Sequence, residues 1–256
     1  MSNTFNINRF GKILKHDGLN FFPNMILTLA ILWAIPVVIW LSNSLTPTES
    51  IIDPDFRVGI ISVLALIIIL LVPGRLYKHC NDPRKGIVFA MLPATSFEKF
   101  FSMVFYCLIV TPLIYLAGAF IIDTILALMG GTFEGYAITK AFWWSPLFRK
   151  STYPVLTAIT FAFIPVTTSS IFMFGNMVFK KRKTGKMIGI LILIHIIFSI
   201  IFTNVAFIYP DLIEFFTDLN YEIGWKYILN IALYSQIIVS ALLLWGTYRK
   251  IKTQKY

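Results

Sequence analysis

The amino-acid sequence predicts an all-α polytopic membrane protein with six transmembrane helices and an N-terminal interfacial amphipathic helix. Hydrophobic residues make up 57% of the chain and charged residues 13%, about half the charged share of an ordinary soluble domain. The mean hydropathy is +0.78. Apolar runs of about 20 residues recur along the whole chain, and a helix of that length crosses a bilayer core.

Residues 1–22 predict an amphipathic helix at the cytoplasmic membrane interface. Apolar side chains such as Phe10 and Ile13 alternate with Arg9, Lys12 and Lys15, so a helix places the two kinds on different sides. The alternative interpretation is a disordered basic tail.

A six-span transmembrane domain is predicted over residues 23–247. Each span is a helix because lipid requires every backbone polar group to be paired within the segment. The predicted spans are about 24–42, 58–73, 102–126, 153–179, 187–208 and 227–247. They leave an inner loop over 74–101, outer loops over 43–57, 127–152 and 209–226, and a basic cytoplasmic tail over 248–256.

The basic residues predict the orientation of the spans. An even number of spans places both termini on one side, and that side then holds 17 of the 22 Lys and Arg residues. They are Arg9, Lys12, Lys15, Arg75, Lys78, Arg84, Lys85, Lys99, Lys180, Lys181, Arg182, Lys183, Lys186, Arg249, Lys250, Lys252 and Lys255. The positive-inside rule therefore predicts a multi-pass protein of the plasma (inner) membrane with cytoplasmic termini. The net charge of +10 then serves contact with membrane lipid and not nucleic acid.

No sequence pattern for an enzyme, a metal or a cofactor is present. Cys80 and Cys107 do not have the spacing of a metal site or a disulfide framework. The chain has no Walker A sequence and no glycine-rich dinucleotide fingerprint. Energy for any active transport must therefore come from an ion gradient or from a separate subunit.

Asp123 and His195 are ionisable residues inside predicted spans, and such residues are candidates for function because burying a charge in lipid is costly. Each also has a structural interpretation. Asp123 could be a partly hydrated carboxylate near the outer interface. His195 could be a neutral imidazole that hydrogen-bonds another span.

The inner loop contains a predicted helix start. Thr95 stands three residues before Glu98, which is the spacing of a capping box, and an apolar run follows. We therefore expect a helix to begin near Ser96. The alternative is that residues 89–101 simply lead the chain into the third span.

The order of these parts resembles the permease subunits of type-2 ABC transporters. In that family the loop between spans two and three carries a coupling helix, often with Leu-Pro-x-[Ser/Thr] before a Lys. Here Leu92, Pro93, Thr95, Ser96 and Lys99 match that run. The long outer loop over 127–152 has no counterpart in the resemblance.

The resemblance implies a role for the inner loop. Two permease chains, identical or related, would pair, and each coupling helix would dock on a separate ABC ATPase subunit. ATP-driven closure of the ATPases would then export a lipid-like, peptide or drug-like substrate. The docking residues implied are Leu92, Pro93, Thr95, Ser96, Phe97, Glu98 and Lys99. We expect Phe97 to be the apolar anchor, with Glu98 and Lys99 at a polar rim.

Two other functions remain open from the sequence. The first is a non-transport membrane scaffold, assembly factor or sensor that has no ATPase. The second is an ion-coupled carrier that uses Asp123 or His195.

Overall fold

The computed structural model describes residues 5–45, 54–78, 80, 86–129, 153–180, 183–208 and 221–253. These residues form helices and contain no strand. Five of the helices are long and apolar enough to cross a membrane, namely Ile7–Ser44, Phe56–Leu76, Ser96–Leu128, Val155–Val178 and Lys226–Thr253. The chain is therefore an all-α, multi-pass membrane protein.

The helices are numbered in chain order. They are α1 (Ile7–Ser44), α2 (Pro54–Leu76), α3 (Gly86–Met91), α4 (Ser96–Phe105), α5 (Thr111–Leu128), α6 (Pro154–Val178), α7 (Lys183–Ile208) and α8 (Tyr221–Thr253). The predicted fifth span over 187–208 lies within α7, and the count of six spans stays a prediction. Most of the predicted outer loops, residues 46–53, 130–152 and 209–220, lies outside the described residues.

Helix α1 contains most of the predicted interfacial helix over residues 1–22 and the whole of the predicted first span. The predicted interfacial helix and the first span form one uninterrupted helix of 38 residues, with Pro23 inside it. At 1.5 Å per residue it is about 57 Å long, roughly twice the thickness of a bilayer core. Ile13 and Phe21 are buried against other helices. The helix therefore continues across residue 22, where the predicted interfacial helix ends, and one face of its first turns packs on protein.

The third predicted span is longer than expected and contains a π-helical segment. Helix α4 continues through Tyr106–Val110 into α5, so that one helical unit runs from Ser96 to Leu128. The backbone N–H and the hydroxyl of Thr111 both donate to the carbonyl of Tyr106, five residues earlier. Pro112 follows and has no N–H to continue the α-helical ladder, which explains the wider turn.

Helix α2 lies at the centre of the bundle. It packs against α1, α5, α6 and α7, while α8 packs along α6. Close approach of α8 to α6 depends on Gly246, because a Cβ there would lie 2.8 Å from the ring of Phe174. These contacts place the apolar core between α1, α2 and the α4–α5 unit.

Contacts between helix ends define two ends of the bundle. At the amino-terminal end, where α1 begins, Asn6 contacts Glu98 and the ring of Phe97 contacts that of Tyr248 in α8. At the far end, Arg57 of α2 contacts Asp123 of α5. The described residues near both termini therefore lie at the same end of the bundle.

Basic residues concentrate at the amino-terminal end, as the sequence partition predicts. Those within the described residues are Arg9, Lys12, Lys15, Arg75, Lys78, Lys99, Lys180, Lys183, Lys186, Arg249, Lys250 and Lys252. The described far end carries Arg57 and Lys226.

Candidate docking element and buried polar contacts

The predicted helix start in the inner loop is confirmed. Helix α4 begins at Ser96, and Thr95 is its N-cap. The Glu98 N–H donates to Thr95 Oγ1 at 3.2 Å, and the Thr95 N–H donates to Glu98 Oε2 at 2.9 Å. Both halves of the capping box are therefore present, and they fix the direction in which the chain enters α4.

Glu98 also joins α4 to the start of α1. Its Oε1 accepts the Asn6 N–H at 2.9 Å and Arg9 Nη2 at 3.2 Å. The residue is 0% exposed. The expectation that Glu98 lies at an exposed polar rim is therefore wrong, because its carboxylate is fully used inside the protein.

Lys99 is buried as well, and it holds α3 beside α4. Its Nζ donates to the carbonyl of Phe89 at 2.7 Å and lies 5.2 Å from the centre of the Phe89 ring. Lys99 is therefore also not a rim residue. It fixes the position of the short helix that precedes the turn at Leu92–Ala94.

An exposed apolar surface remains on the segment formed by α3, the turn at Leu92–Ala94 and the start of α4. Phe97 is 44% exposed, and Met91 and Pro93 are exposed beside the turn. Of the other predicted docking residues, Leu92, Thr95 and Ser96 are half-buried. The Phe97 ring contacts the rings of Phe5 and Tyr248, so the surface touches elements near both termini.

A buried carboxylate at Asp17 ties together three elements at the same end. Its Oδ2 accepts the Tyr77 hydroxyl at 2.9 Å and the Ser102 hydroxyl at 2.6 Å. Asp17 lies on α1, Tyr77 follows α2, and Ser102 lies on α4. His16 adds a contact of 3.3 Å to Oδ1 from the exposed side.

Burial controls the ionisation of two groups beside Asp17. It raises the pKa of the Tyr77 phenol well above its usual value, and the Asp17 carboxylate adds to this effect. Tyr77 therefore stays a hydrogen-bond donor. Burial also raises the pKa of the Cys80 thiol to about 12, again with a contribution from Asp17. Cys80 is therefore a thiol and not a reactive thiolate near neutral pH.

Asp123 has a partner that the sequence analysis missed. Arg57 Nη1 lies 3.2 Å from Asp123 Oδ1, and the two residues are 3% and 1% exposed. The pair borders a crevice lined by Pro36, Ile39, Ile60 and Ile61. Asp123 is therefore not a partly hydrated carboxylate. Arg57 is not a loop residue either, because it lies in the first turn of α2.

His195 lies apart from Asp123, on an exposed face of α7. The structure does not bring the two predicted intramembrane residues together. Within the described part of the chain, no group of three or more His, Cys, Asp or Glu side chains is placed to hold a metal ion.

Signals for the missed contacts were present in the sequence. Ile13, Asp17 and Phe21 recur every four residues, so a helix puts the carboxylate on the same buried face as the two apolar side chains. An acidic residue in a span needs a partner, and Arg57 opens the neighbouring span.

Comparison with known proteins gives no relative: no protein-family model, no curated protein and no solved structure matches the chain.

Proposed function

We propose that the chain is the membrane-spanning permease subunit of an ABC transporter. A separate ATPase subunit would drive it, and a second permease chain would pair with it. The observation that carries the proposal is the docking element over residues 86–99. It presents exposed Met91, Pro93 and Phe97 while Glu98 and Lys99 fix it from within. A partner that binds this apolar surface can move the transmembrane helices only if the surface is held rigidly to them, as the contacts of Glu98 and Lys99 hold it.

A displacement of the docking element would be transmitted along one continuous helical unit. Residues Ser96–Leu128 are helical throughout, which is about 50 Å at 1.5 Å per residue. Phe97 lies at one end of this unit and Asp123 near the other. A partner that displaces the docking element would therefore act on the Arg57–Asp123 pair and on the crevice beside it.

The proposal includes the orientation of the helices in the membrane. The basic residues gathered at the amino-terminal end favour the cytoplasmic side of a plasma membrane for that end. The docking element would then face the compartment that holds ATP. The expected direction is export, with a lipid-like, peptide or drug-like substrate, as the resemblance to type-2 ABC permeases implies.

The Arg57–Asp123 pair argues against the ion-coupled carrier. Such a carrier needs Asp123 to exchange its partner for an ion during each cycle. Loss of this carboxylate would leave the Arg57 charge buried, which costs about 3–5 kcal/mol for pairs of this kind. A scaffold or sensor without an ATPase remains the main competing function.

Co-purification tests the proposal. The tagged chain is extracted from its native membranes in mild detergent, and the subunits that accompany it are identified and assayed for ATP hydrolysis. We expect an ATPase with a Walker A motif. The double variant Met91→Ser, Phe97→Ser should weaken its retention roughly 30-fold, since loss of a central aromatic anchor costs about 2 kcal/mol or more.

Phe101→Ser is the matched control. Phe101 is 46% exposed, as Phe97 is, and lies one turn further along α4, away from the turn at Leu92–Ala94. The ATPase should remain bound to this variant. Retention by the double variant would refute the docking role. A wild-type chain that brings down no ATPase would instead favour the scaffold. Glu98→Lys is unsuited to this test, because Glu98 is buried.

A further inference from the structure

Three buried residues form a chain of hydrogen bonds across the amino-terminal end of the bundle. They are Asp17 of α1, Tyr77 directly after α2 and Asn176 of α6. The Tyr77 hydroxyl donates to Asp17 Oδ2 at 2.9 Å, and the Tyr77 carbonyl accepts Asn176 Nδ2 at 3.0 Å. We call these three residues the polar link. It joins α1 to α6, which are far apart in the sequence.

The Asp17 end of the polar link belongs to the same hydrogen-bonded unit as the docking element. Ser102 of α4 donates to Asp17 Oδ2 at 2.6 Å, a length typical of a hydroxyl on a carboxylate. Tyr106 donates to the carbonyl of Leu14 at 2.8 Å, and Glu98 adds its contacts with the start of α1. A displacement of the docking element therefore moves α4 together with the first turns of α1.

The Asn176 end lies in another part of the bundle. Within the described residues, α6 packs mainly against α2 and α8 and has no extensive contact with α1 or α4. Lys183 of α7 donates to the carbonyl of Lys78, the residue after Tyr77, at 2.8 Å. The turn that follows α2 thus holds both α6 and α7 by hydrogen bonds, while the Tyr77 side chain reaches α1.

Tyr77 is itself held firmly in place. Its N–H donates to the carbonyl of Pro73 at 3.2 Å, and its carbonyl also accepts the Cys80 N–H at 3.1 Å. Its ring is packed in the apolar core. Burial raises the pKa of the phenol, so the hydroxyl stays a donor to Asp17. A buried carboxylate that loses a donor is costly, which favours movement of Tyr77 with Asp17 over rupture of their hydrogen bond.

The docking element also meets α8, but through ring contacts. The rings of Phe97 and Phe100 lie against that of Tyr248, with centroids 6.2 and 5.8 Å apart. Ring contacts of this kind tolerate sliding, whereas a hydrogen bond fixes both a distance and a direction. The polar link is therefore the stiffer of the two connections.

We propose that the polar link couples the docking element to α6 and that Tyr77 is the residue that joins them. The inference rests on the permease proposal. Closure of the ATPase displaces α4 and α1, Asp17 carries Tyr77 with it, and Tyr77 moves the end of α6 through Asn176. Tyr77 and Asn176 are positioning residues, because both are buried away from the docking surface.

Spin labels at Lys12→Cys in α1 and Val178→Cys in α6 test the polar link. Both positions are exposed, one on each helix that the polar link joins. In the full chain without a partner, this pair should give one narrow distance distribution. Tyr77→Phe keeps the ring and removes the hydroxyl, so it should broaden that peak. Tyr115→Phe is the matched control, since it removes another buried hydroxyl, which donates to the carbonyl of Ile61, and it should leave the peak unchanged.

Asn176→Ala breaks the polar link at its other end. Because the two hydrogen bonds act in series, Asn176→Ala and Tyr77→Phe should broaden the peak equally, and the double variant should broaden it no further. Two independent structural losses would add instead. The Tyr77 carbonyl keeps the Cys80 N–H as a donor in Asn176→Ala, so this variant leaves no backbone acceptor bare.

The complex with the co-purifying ATPase tests transmission. Trapping the ATPase with ATP and vanadate should leave the distance between the labels at positions 12 and 178 unchanged, because α1 and α6 move together. In Tyr77→Phe the same treatment should shift this distance while the ATPase stays bound. In Tyr115→Phe it should not.

Four results would count against these inferences in different ways. Unchanged peaks in both Tyr77→Phe and Asn176→Ala would overturn the polar link, whatever the partner. A shift on trapping without either substitution would mean that α1 and α6 move independently. A shift in Tyr248→Leu but not in Tyr77→Phe would assign the coupling to α8. If no ATPase accompanies the wild-type chain, the permease proposal fails, and the peak widths still decide whether the polar link holds α1 to α6.

Discussion

The buried ion pair between Arg57 and Asp123 gives a prediction with a definite size. Asp123→Asn keeps the shape of the side chain and removes its charge, so the Arg57 guanidinium loses this counter-charge in a buried site. Both side chains are no more than 2% exposed, which means that solvent does not screen the loss. We expect the free energy of unfolding to fall by about 3–5 kcal/mol, the usual cost of breaking a buried pair from one side.

The double variant Arg57→Met, Asp123→Leu distinguishes the cost of an unpaired buried charge from the cost of altered packing. It removes both charges and keeps most of the volume against Pro36 and Ile60. Replacement of a buried ion pair by apolar side chains is often neutral, or stabilising by about 1–4 kcal/mol. The double variant should therefore be more stable than Asp123→Asn, although it carries the greater change in sequence.

The chain supplies its own reporter for this measurement. Cys80 and Cys107 are its two cysteines, and both are buried. A thiol-reactive dye therefore becomes fluorescent only as the protein unfolds in detergent with added denaturant. Lys226→Gln removes an exposed cation beside Tyr153 and should change stability by less than about 0.5 kcal/mol. A loss below about 1 kcal/mol in Asp123→Asn, or a double variant as unstable as the single one, would refute the reasoning.

Three further outcomes are expected. Glu98→Ala should cost about 1–3 kcal/mol by the same thiol assay and hasten proteolysis of the N-terminal residues, since the backbone N–H groups of Asn6 and Thr95 lose their carboxylate acceptor; unchanged proteolysis would contradict this. Cys80 should react with a maleimide about a thousandfold more slowly than an ordinary thiol in the native protein, because its pKa is raised from 9.0 to about 12; rapid labelling without denaturant would contradict this. In cells, Ser145→Cys should be labelled from outside and Ser96→Cys only after the membrane is permeabilised; the reverse pattern would overturn the orientation.

Features set by neighbours in sequence could be predicted. The start of α4 follows from Thr95 and Glu98, which lie three residues apart and cap each other within one helical turn. The spans follow from apolar composition, because a bilayer selects for length and hydropathy and not for a particular packing partner. The grouping of basic residues at one end follows from the alternation of the spans.

Contacts between distant residues are indicated only weakly by the sequence. A capping-box Glu is expected at a surface, yet Glu98 is covered by Asn6 and Arg9, which lie about 90 positions earlier in the chain. Arg57 is the last residue of the outer loop predicted over 43–57, and its role depends on the packing of α2 against α5. Hydrophobic periodicity indicates which face of a helix is buried, but it does not indicate which polar residue on another helix pairs with a polar side chain on that face.

Hydrogen bonds join the Ser96–Leu128 unit to α1 on both sides of the π-helical segment. On the amino-terminal side, Ser102 donates to Asp17, and Tyr106, the first residue of the π-helical segment, donates to the carbonyl of Leu14. On the far side, the carbonyl of Tyr115 accepts Trp33 Nε1 of α1 at 3.0 Å, and the Tyr115 hydroxyl donates to the carbonyl of Ile61 in α2. Both parts are thus bonded to α1, and the far part is bonded to α2 as well.

The π-helical turns of Tyr106–Val110 depart from the regular α-helical ladder, and such turns are frequent at functional sites. Under the permease proposal, a displacement of Phe97 would move α4 together with α1. It would then reach α5 and the Arg57–Asp123 pair by two connections, through the π-helical segment and through Trp33 of α1. Because Pro112 has no N–H to continue the α-helical ladder at the start of α5, the hydrogen bond between Trp33 and Tyr115 is the connection that bypasses this irregular segment.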